Sequence, residues 1–241
     1  MYDRDEMVID KTAKPRVPLS RERVLATAVE VADEGGITAL TMRGLADALE
    51  VEAMSLYYHV ANKEALLDGV AEMVVAEVNL AVDALDPASG PDDWKAVMRM
   101  RILTAREVML KHRWAPALLE TRTTMSMPVL LYHHGLMEIF RIGGFDYDLV
   151  HHALHALGSR AMGFTQEMFD PAPGSPEEEQ ATEVLELMAA ELPLMVEMLS
   201  EVAHDDPETN LGWCDDQSEF EFALDLLLDG LERLGRDRLP S

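Results

Sequence analysis

The chain of 241 residues carries 45 acids against 20 bases, a net charge of -25, and is 48% apolar but only 6% aromatic. Such a length can bury a sizeable core, in one large domain or two smaller ones. No apolar run nears the roughly 20 residues of a membrane span, and MYDRDEMVID lacks the basic start and apolar core of a signal peptide, so a cytoplasmic protein away from membranes is expected.

The single cysteine, Cys214, has no disulfide partner and no Cys or His framework for zinc. The alternation of Val, Ile and Thr that marks strands is missing, so the chain is expected to be all-α. Residues 1–18 read as a disordered N-terminal arm. Ser20 then caps a helix with Val24, Leu25, Ala28, Val29 and Ala32 at helical spacing, stopped by Gly35 and Gly36.

Residues 41–63, TMRGLADALEVEAMSLYYHVANK, read as two short helices joined by a tight turn. Thr41 is an N-cap, and Leu45, Ala46 and Leu49 share one face. The second half, Ala53 to His59, is too short to stand alone in water and must be held by packing of Leu56 and Val60. Its other side chains form an aromatic patch free to read DNA. Asn62 reads as the cap of a long helix over residues 63–85, ending before Pro87.

The next amphipathic helix, 93–111, carries Trp94, Val97, Met98, Ile102, Ala105 and Met109, and a short helix follows near 115–121. Pro128 falls in the first turn of a helix that runs to Gly143 and Gly144. Asp146 or Asp148 can cap the helix of about 20 residues after it, whose Ala153, Ala156, Gly158, Ala161 and Gly163 suit an interface. DPAPGSPEEEQ is an acidic loop, the Leu- and Met-rich helix beyond it is interrupted at Pro193, and HDDPETNLGWCDDQ is irregular. The final helix, SEFEFALDLLLDGLERL, places Phe222, Leu226, Leu227 and Leu231 in register. The expected division is an arm at 1–18, a helix-turn-helix domain at 19–66 and a helical effector-binding and dimerisation domain at 67–241.

A strongly acidic chain suits DNA badly, because duplex affinity comes largely from Lys and Arg neutralising phosphates. From Lys11 to Lys63, however, seven bases balance seven acids, whereas residues 64–241 carry 12 bases against 34 acids. Lys11, Lys14, Arg16, Arg21 and Arg23 fall in KTAKPRVPLSRER, which is suited to phosphate contact.

His151 and His155, at i, i+4, and the pair His133 and His134 are what a metal enzyme would recruit, and such an enzyme is the rival reading. No paired Cys, HExxH arrangement or third carboxylate accompanies them, so no metal ligand, cofactor or catalytic residue is assigned. Lining of an effector pocket or a dimer interface is favoured, with His134 or His155 orienting a ligand by hydrogen bonds. Met98, Met109, Met125, Met127, Met137 and Met162 read either as an adaptable cavity lining or as an ordinary core. Arg101, one turn from Met98 and Ala105, would bind a ligand carboxylate if it points inward. The candidate effector residues are therefore Met98, Arg101, Ile102, Ala105, Met109, Leu119, His134, Met137, His155 and Met162.

LSRERVLATAVEVADEGGITALTMRGLADALEVEAMSLYYHVANKEALLDGV resembles the DNA-binding domain of the TetR family of bacterial repressors. That family's pattern is a first helix, Gly, a Leu-Thr pair, Arg, Leu-Ala, a Leu-x-Val turn, Leu-Tyr-x-His-Val, Asn-Lys and Leu-Leu. DDWKAVMRMRILTAREVMLKHR, the segment ending LLETR, GGFDYDLVHHALHALGSRAMGF and FEFALDLLLDGLERL resemble the ligand-binding domain of its tetracycline-repressor branch.

The resemblance implies an all-helical homodimer, paired through helices 146–169 and 218–235, that binds a palindromic operator. A small, largely apolar effector would move the long connecting helix and release the DNA; a DNA-bound dimer without any effector is the second rival. It also implies that Thr41 touches phosphate, Arg43 reaches a guanine edge, and Ala53, Met54, Ser55 and Tyr57 face the major groove. Tyr58, His59 and Lys63 would hold the backbone. Three departures stand out. Glu50 occupies a turn position that usually holds Gly, so either it adopts a left-handed conformation or the turn is built differently. Ala53 and Met54 favour thymine methyls over hydrogen-bonded readout. Leu119 and Asn79 stand where a tetracycline repressor places histidines, which speaks against a magnesium-tetracycline ligand.

Overall fold

The computed structural model describes residues 18–122, 125–163, 192–194, 197, 201 and 216–238. The expected arm up to residue 17, the acidic loop 170–179, residues 164–169, Cys214 and the side chain of Met162 lie outside the described residues. Within them the chain is helical and has no strand: α1 (Arg21–Gly35), α2 (Met42–Ala48), α3 (Ala53–Leu56), α4 (Lys63–Asp83), α5 (Trp94–Lys111), α6 (Ala115–Glu120), α7 (Met127–Ile142), α8 (Tyr147–Gly163) and α9 (Asp216–Arg238).

The helix starts follow from side chains that accept otherwise unpaired N–H groups. Ser20 Oγ accepts from Arg23 N at 3.2 Å, Thr41 Oγ1 from Gly44 N at 3.0 Å, and Asn62 Oδ1 from Ala65 N at 2.8 Å. At α8 the choice between two aspartates falls to Asp146, whose Oδ1 accepts from Leu149 N at 2.7 Å.

Packing divides the chain within α4, after Met73, into two compact units. In the first, α2 packs on α1 and α3 around buried Val24, Leu25, Ala28, Leu40, Leu45, Leu49 and Leu56. Gly69 admits Leu25 against α4, where any Cβ would collide with it. The segment expected to be helical from Ala53 to His59 is a four-residue helix followed by a turn, in which Val60 N still donates to Leu56 O at 2.9 Å. Between α2 and α3, Glu50 adopts φ 55°, which decides between the two alternatives in favour of the left-handed conformation.

The second unit is built on α5, α7, α8 and α9. Trp94, Phe140 and Phe145 form its centre, with ring centroids 4.6 Å apart for Trp94 and Phe145 and 5.2 Å for Phe140 and Phe145. Met98, Ile102, Leu149, Ala153 and Leu157 surround them. A smaller cluster joins Val78 and Val82 of α4 to Ala105 and Val108 of α5, with Met109 and Tyr132 against it. Ion pairs hold α5 to α9: Arg99 reaches Glu221 at 2.6 Å and Asp225 at 2.7 Å, and Lys95 binds Asp229 and Glu232. Hydrogen bonds to Asp225 and then Glu221 raise Arg99 above its ordinary value, as Asp229 first and then Glu232 do for Lys95.

Half of the expected stripe of α9 is corrected. Leu231 is buried and Leu227 packs against the core, but Phe222 and Leu226 are 64% and 58% exposed, and Phe220, Leu224 and Leu228 complete the buried face. The helix is apolar on two faces, so spacing alone selects two registers; the structure buries the one that meets α5 and α8.

Relief of the left-handed strain makes Glu50→Gly a stabilising change. Against the greater freedom of glycine in the unfolded chain, a net gain of about 0.5–1 kcal/mol is expected, read as a higher urea midpoint for the first unit. An unchanged or lower midpoint contradicts the strain.

Candidate nucleic-acid interface and ligand site

A helix of four residues gains little from its own hydrogen bonds, so α3 is set by the side chain it buries. Leu56 is fully buried and Val60 nearly so. The three large side chains around them turn outward: Met54 is 72% exposed, Tyr57 45% and Tyr58 88%. Thr41 and Arg43 at the head of α2, and Lys63 at the head of α4, are exposed, whereas Ala53, Ser55 and His59 are half-buried. Arg43 and Lys63 make no ion pair among the described residues, so their charges stay available to an anion. The nine residues expected to meet DNA thus lie on or beside α3 and at the starts of α2 and α4, and an exposed tyrosine pair among cations suits a phosphate-bearing partner.

In the second unit the effector candidates separate into two sets. Met98 and Ile102 are buried in the aromatic core with Met137 packed against it, while Ala105 and Met109 belong to the smaller cluster. Leu119 is half-buried on α6. Arg101 does point inward: its side chain is 13% exposed and its guanidinium lies 5.7 Å from the Tyr132 ring centroid. His134 and His155 are not brought to this interior. His134 is 67% exposed, 3.5 Å from Glu138, and His155 is exposed with its ring 4.6 Å from that of His151. Among the described residues no group of three or more His, Cys, Asp or Glu is placed to hold a metal ion.

Three polar residues of this interior escaped the sequence reading. Tyr132 touches both clusters, and burial pushes its phenol up to about 12, with the Arg101 guanidinium opposing the shift. Buried His112 places Nε2 3.2 Å from Glu77 Oε2 on α4. Asn79, noted in the sequence only for what it replaces, donates to the Pro128 carbonyl at 2.8 Å. Polar Glu77, Asn79 and Asp83 in the apolar run of α4, the last two one turn apart, were the available signal.

The family model for bacterial regulatory proteins of the tetR family matches residues 24–70, and that for the tetracyclin repressor-like C-terminal domain matches residues 86–234. The chain belongs to the TetR family. An HTH-type transcriptional regulator of Saccharopolyspora erythraea is 37% identical over 113 residues, 47% of this chain and 45% of that protein, so the match spans less than half its length. The tetracycline repressor protein class C of Escherichia coli is 27% identical over 216 residues, 90% of this chain and 92% of that one. Among solved structures, the Streptomyces coelicolor TetR family protein ActR in complex with actinorhodin is 25% identical, with a TM-score of 0.70 over 91% of this chain and 99% of that one. TetR family proteins are, in general, transcription factors and not enzymes, and they bind operator DNA as dimers and small-molecule effectors. None of the described helices is long and apolar enough to cross a membrane.

Thr41 caps α2 whereas Tyr58 packs against little, and substitution separates these roles. Thr41→Ala is expected to cost about 1 kcal/mol of unfolding free energy. Tyr58→Ala should stay within about 0.5 kcal/mol of the parent. Urea titration measures both; a large loss at Tyr58 would mean that the residue supports the fold.

Proposed function

We propose that this TetR family member is a homodimeric, ligand-responsive repressor that binds a palindromic operator when free and releases it on binding a small, largely apolar molecule in the second unit. The observation that carries the DNA-binding half is the outward face of α3, where Met54, Tyr57 and Tyr58 are exposed around a buried Leu56. A monomer that had no partner for this face would gain by making it polar.

In this reading Arg43 contributes a guanidinium to a guanine edge, a contact worth roughly 1 to 3 kcal/mol of base discrimination. Ala53, Met54, Ser55 and Tyr57 face the groove, while Thr41, Tyr58, His59 and Lys63 position the unit on phosphates. Successive major grooves require recognition units about 34 to 36 Å apart, hence a dimer. The outer stripe of α9, with Phe222, Leu226 and the 47% exposed Leu234, is an apolar surface for pairing together with α8. Helix α4 begins in the first unit and ends in the second, which makes it the candidate for carrying the effector's signal. A hundredfold release needs about 2.7 kcal/mol of coupling between the two sites.

Footprinting of the DNA flanking the protein's own gene is expected to reveal a protected palindrome at moderate salt. Tyr57→Ala should lose that protection while sedimentation still shows a dimer; undiminished protection would overturn the assignment of the groove-facing surface. The paired change Phe222→Asp with Leu226→Asp should instead yield a folded monomer. If that variant sediments as a dimer, α9 is not the pairing surface.

A further inference from the structure

Two buried side-chain atoms of the described residues lack a hydrogen-bond partner, and they are opposite in kind: Asn79 Oδ1 accepts and Arg101 Nε donates. Native proteins rarely leave such groups unmatched, and a charged donor is the costlier of the two to bury unpaired. The amide orientation of Asn79 is fixed, because only its Nδ2 can donate to the Pro128 carbonyl. Arg101 is also held in place. Its Nη2 lies 3.5 Å from Asp83 Oδ1, and Gly135 on α7 makes room for the guanidinium where any Cβ would collide with it.

The two atoms face the same pair of helices. Asn79 and Asp83 stand four residues apart on α4, as do Pro128 and Tyr132 on α7, so Asn79 with Pro128 lies one helical turn, roughly 5 Å, from Arg101 with Tyr132. Apolar Val78, Val82, Ala105 and Met109 gather beside them. Tyr132 remains a neutral phenol at ordinary pH, since burial holds it near 12, and so adds no negative charge beside the guanidinium.

We propose that Arg101 and Asn79 form the polar end of the effector site, and that the effector is a mainly apolar hydroxy-acid. Its carboxylate accepts from Arg101 and its hydroxyl donates to Asn79 Oδ1. This rests on the sensor reading above and adds the chemical class of the ligand. A guanidinium matches a carboxylate with parallel N–H groups, so the anion gains two charge-assisted hydrogen bonds in place of one distant contact to Asp83. Asp83 has a 69% exposed side chain and is the last residue of α4, so the carboxylate that displaces it also frees the end of that helix.

The test is calorimetric titration of the full-length protein with 4-hydroxy-2-naphthoic acid, whose hydroxyl is too far from its carboxylate for an internal hydrogen bond, its methyl ester and neutral 1-naphthol. The acid is expected to bind at least tenfold more tightly than the ester, and Arg101→Met is expected to erase that preference. Asp83→Ala removes an exposed competitor and should tighten acid binding several-fold. If acid and ester bind alike, or Asp83→Ala leaves acid binding unchanged or weaker, the hydroxy-acid assignment falls while the sensor reading stands, and the two atoms are satisfied by water alone. If none of the three compounds binds at millimolar concentration, the hydroxy-acid assignment likewise falls, and the sensor reading, which names no particular ligand, is untouched. Should Arg101→Met not fold, the sign of the Asp83→Ala effect decides.

Discussion

One packing constraint underlies the recognition surface: α3 has four residues and holds its shape only because Leu56 is fully buried beneath it. A helix that short cannot be stable by itself, so its position is dictated by what it packs on, α2 above all. What the fold gains is independence of the outer face. Since Leu56 and Val60 satisfy the packing, Met54, Tyr57 and Tyr58 are released from structural duty and can be spent on recognition. The turn that delivers α3 carries strain at Glu50, a non-glycine residue with positive φ, which the surrounding core must override.

The second unit solves a different problem, the concentration of acids in the later part of the chain. Part of that charge is used structurally, where Glu221, Asp225, Asp229 and Glu232 of α9 meet Arg99 and Lys95 of α5. These pairs are partly exposed and of modest worth individually; beneath them the aromatic trio of Trp94, Phe140 and Phe145 packs α5 against α7 and the loop before α8. Acidic residues paired across α5 and α9, over an aromatic interior, let the second unit carry a high negative charge.

Much of this was legible in sequence because the signals were local. Ser20, Thr41 and Asn62 act as caps where hydroxyl or amide side chains precede apolar periodicity, and Glu50 is left-handed because its turn needs that geometry. The register of α9 was not legible. Phe222 and Leu226 obey helical spacing as well as Phe220 and Leu224 do, and only the positions of α5 and α8 decide which face is covered. His134 and His155 misled for a related reason: a histidine on an amphipathic helix carries no mark of which way it faces. The direction of Arg101 is set by Gly135, thirty-four residues away in the chain, which makes room for its guanidinium. Tertiary proximity between Asn79, Pro128 and Tyr132 left no trace in any single stretch.

The central claim is that the α3 face reads a DNA sequence and does not merely attract a polyanion. The measurement that tests it most directly is fluorescence anisotropy with a duplex from the protein's own upstream region against a shuffled duplex of equal composition, at physiological salt. Specific binding at least about a thousandfold tighter than binding to the shuffled duplex is the expected result. Equal affinity for the two duplexes, weakening together as salt rises, would contradict it.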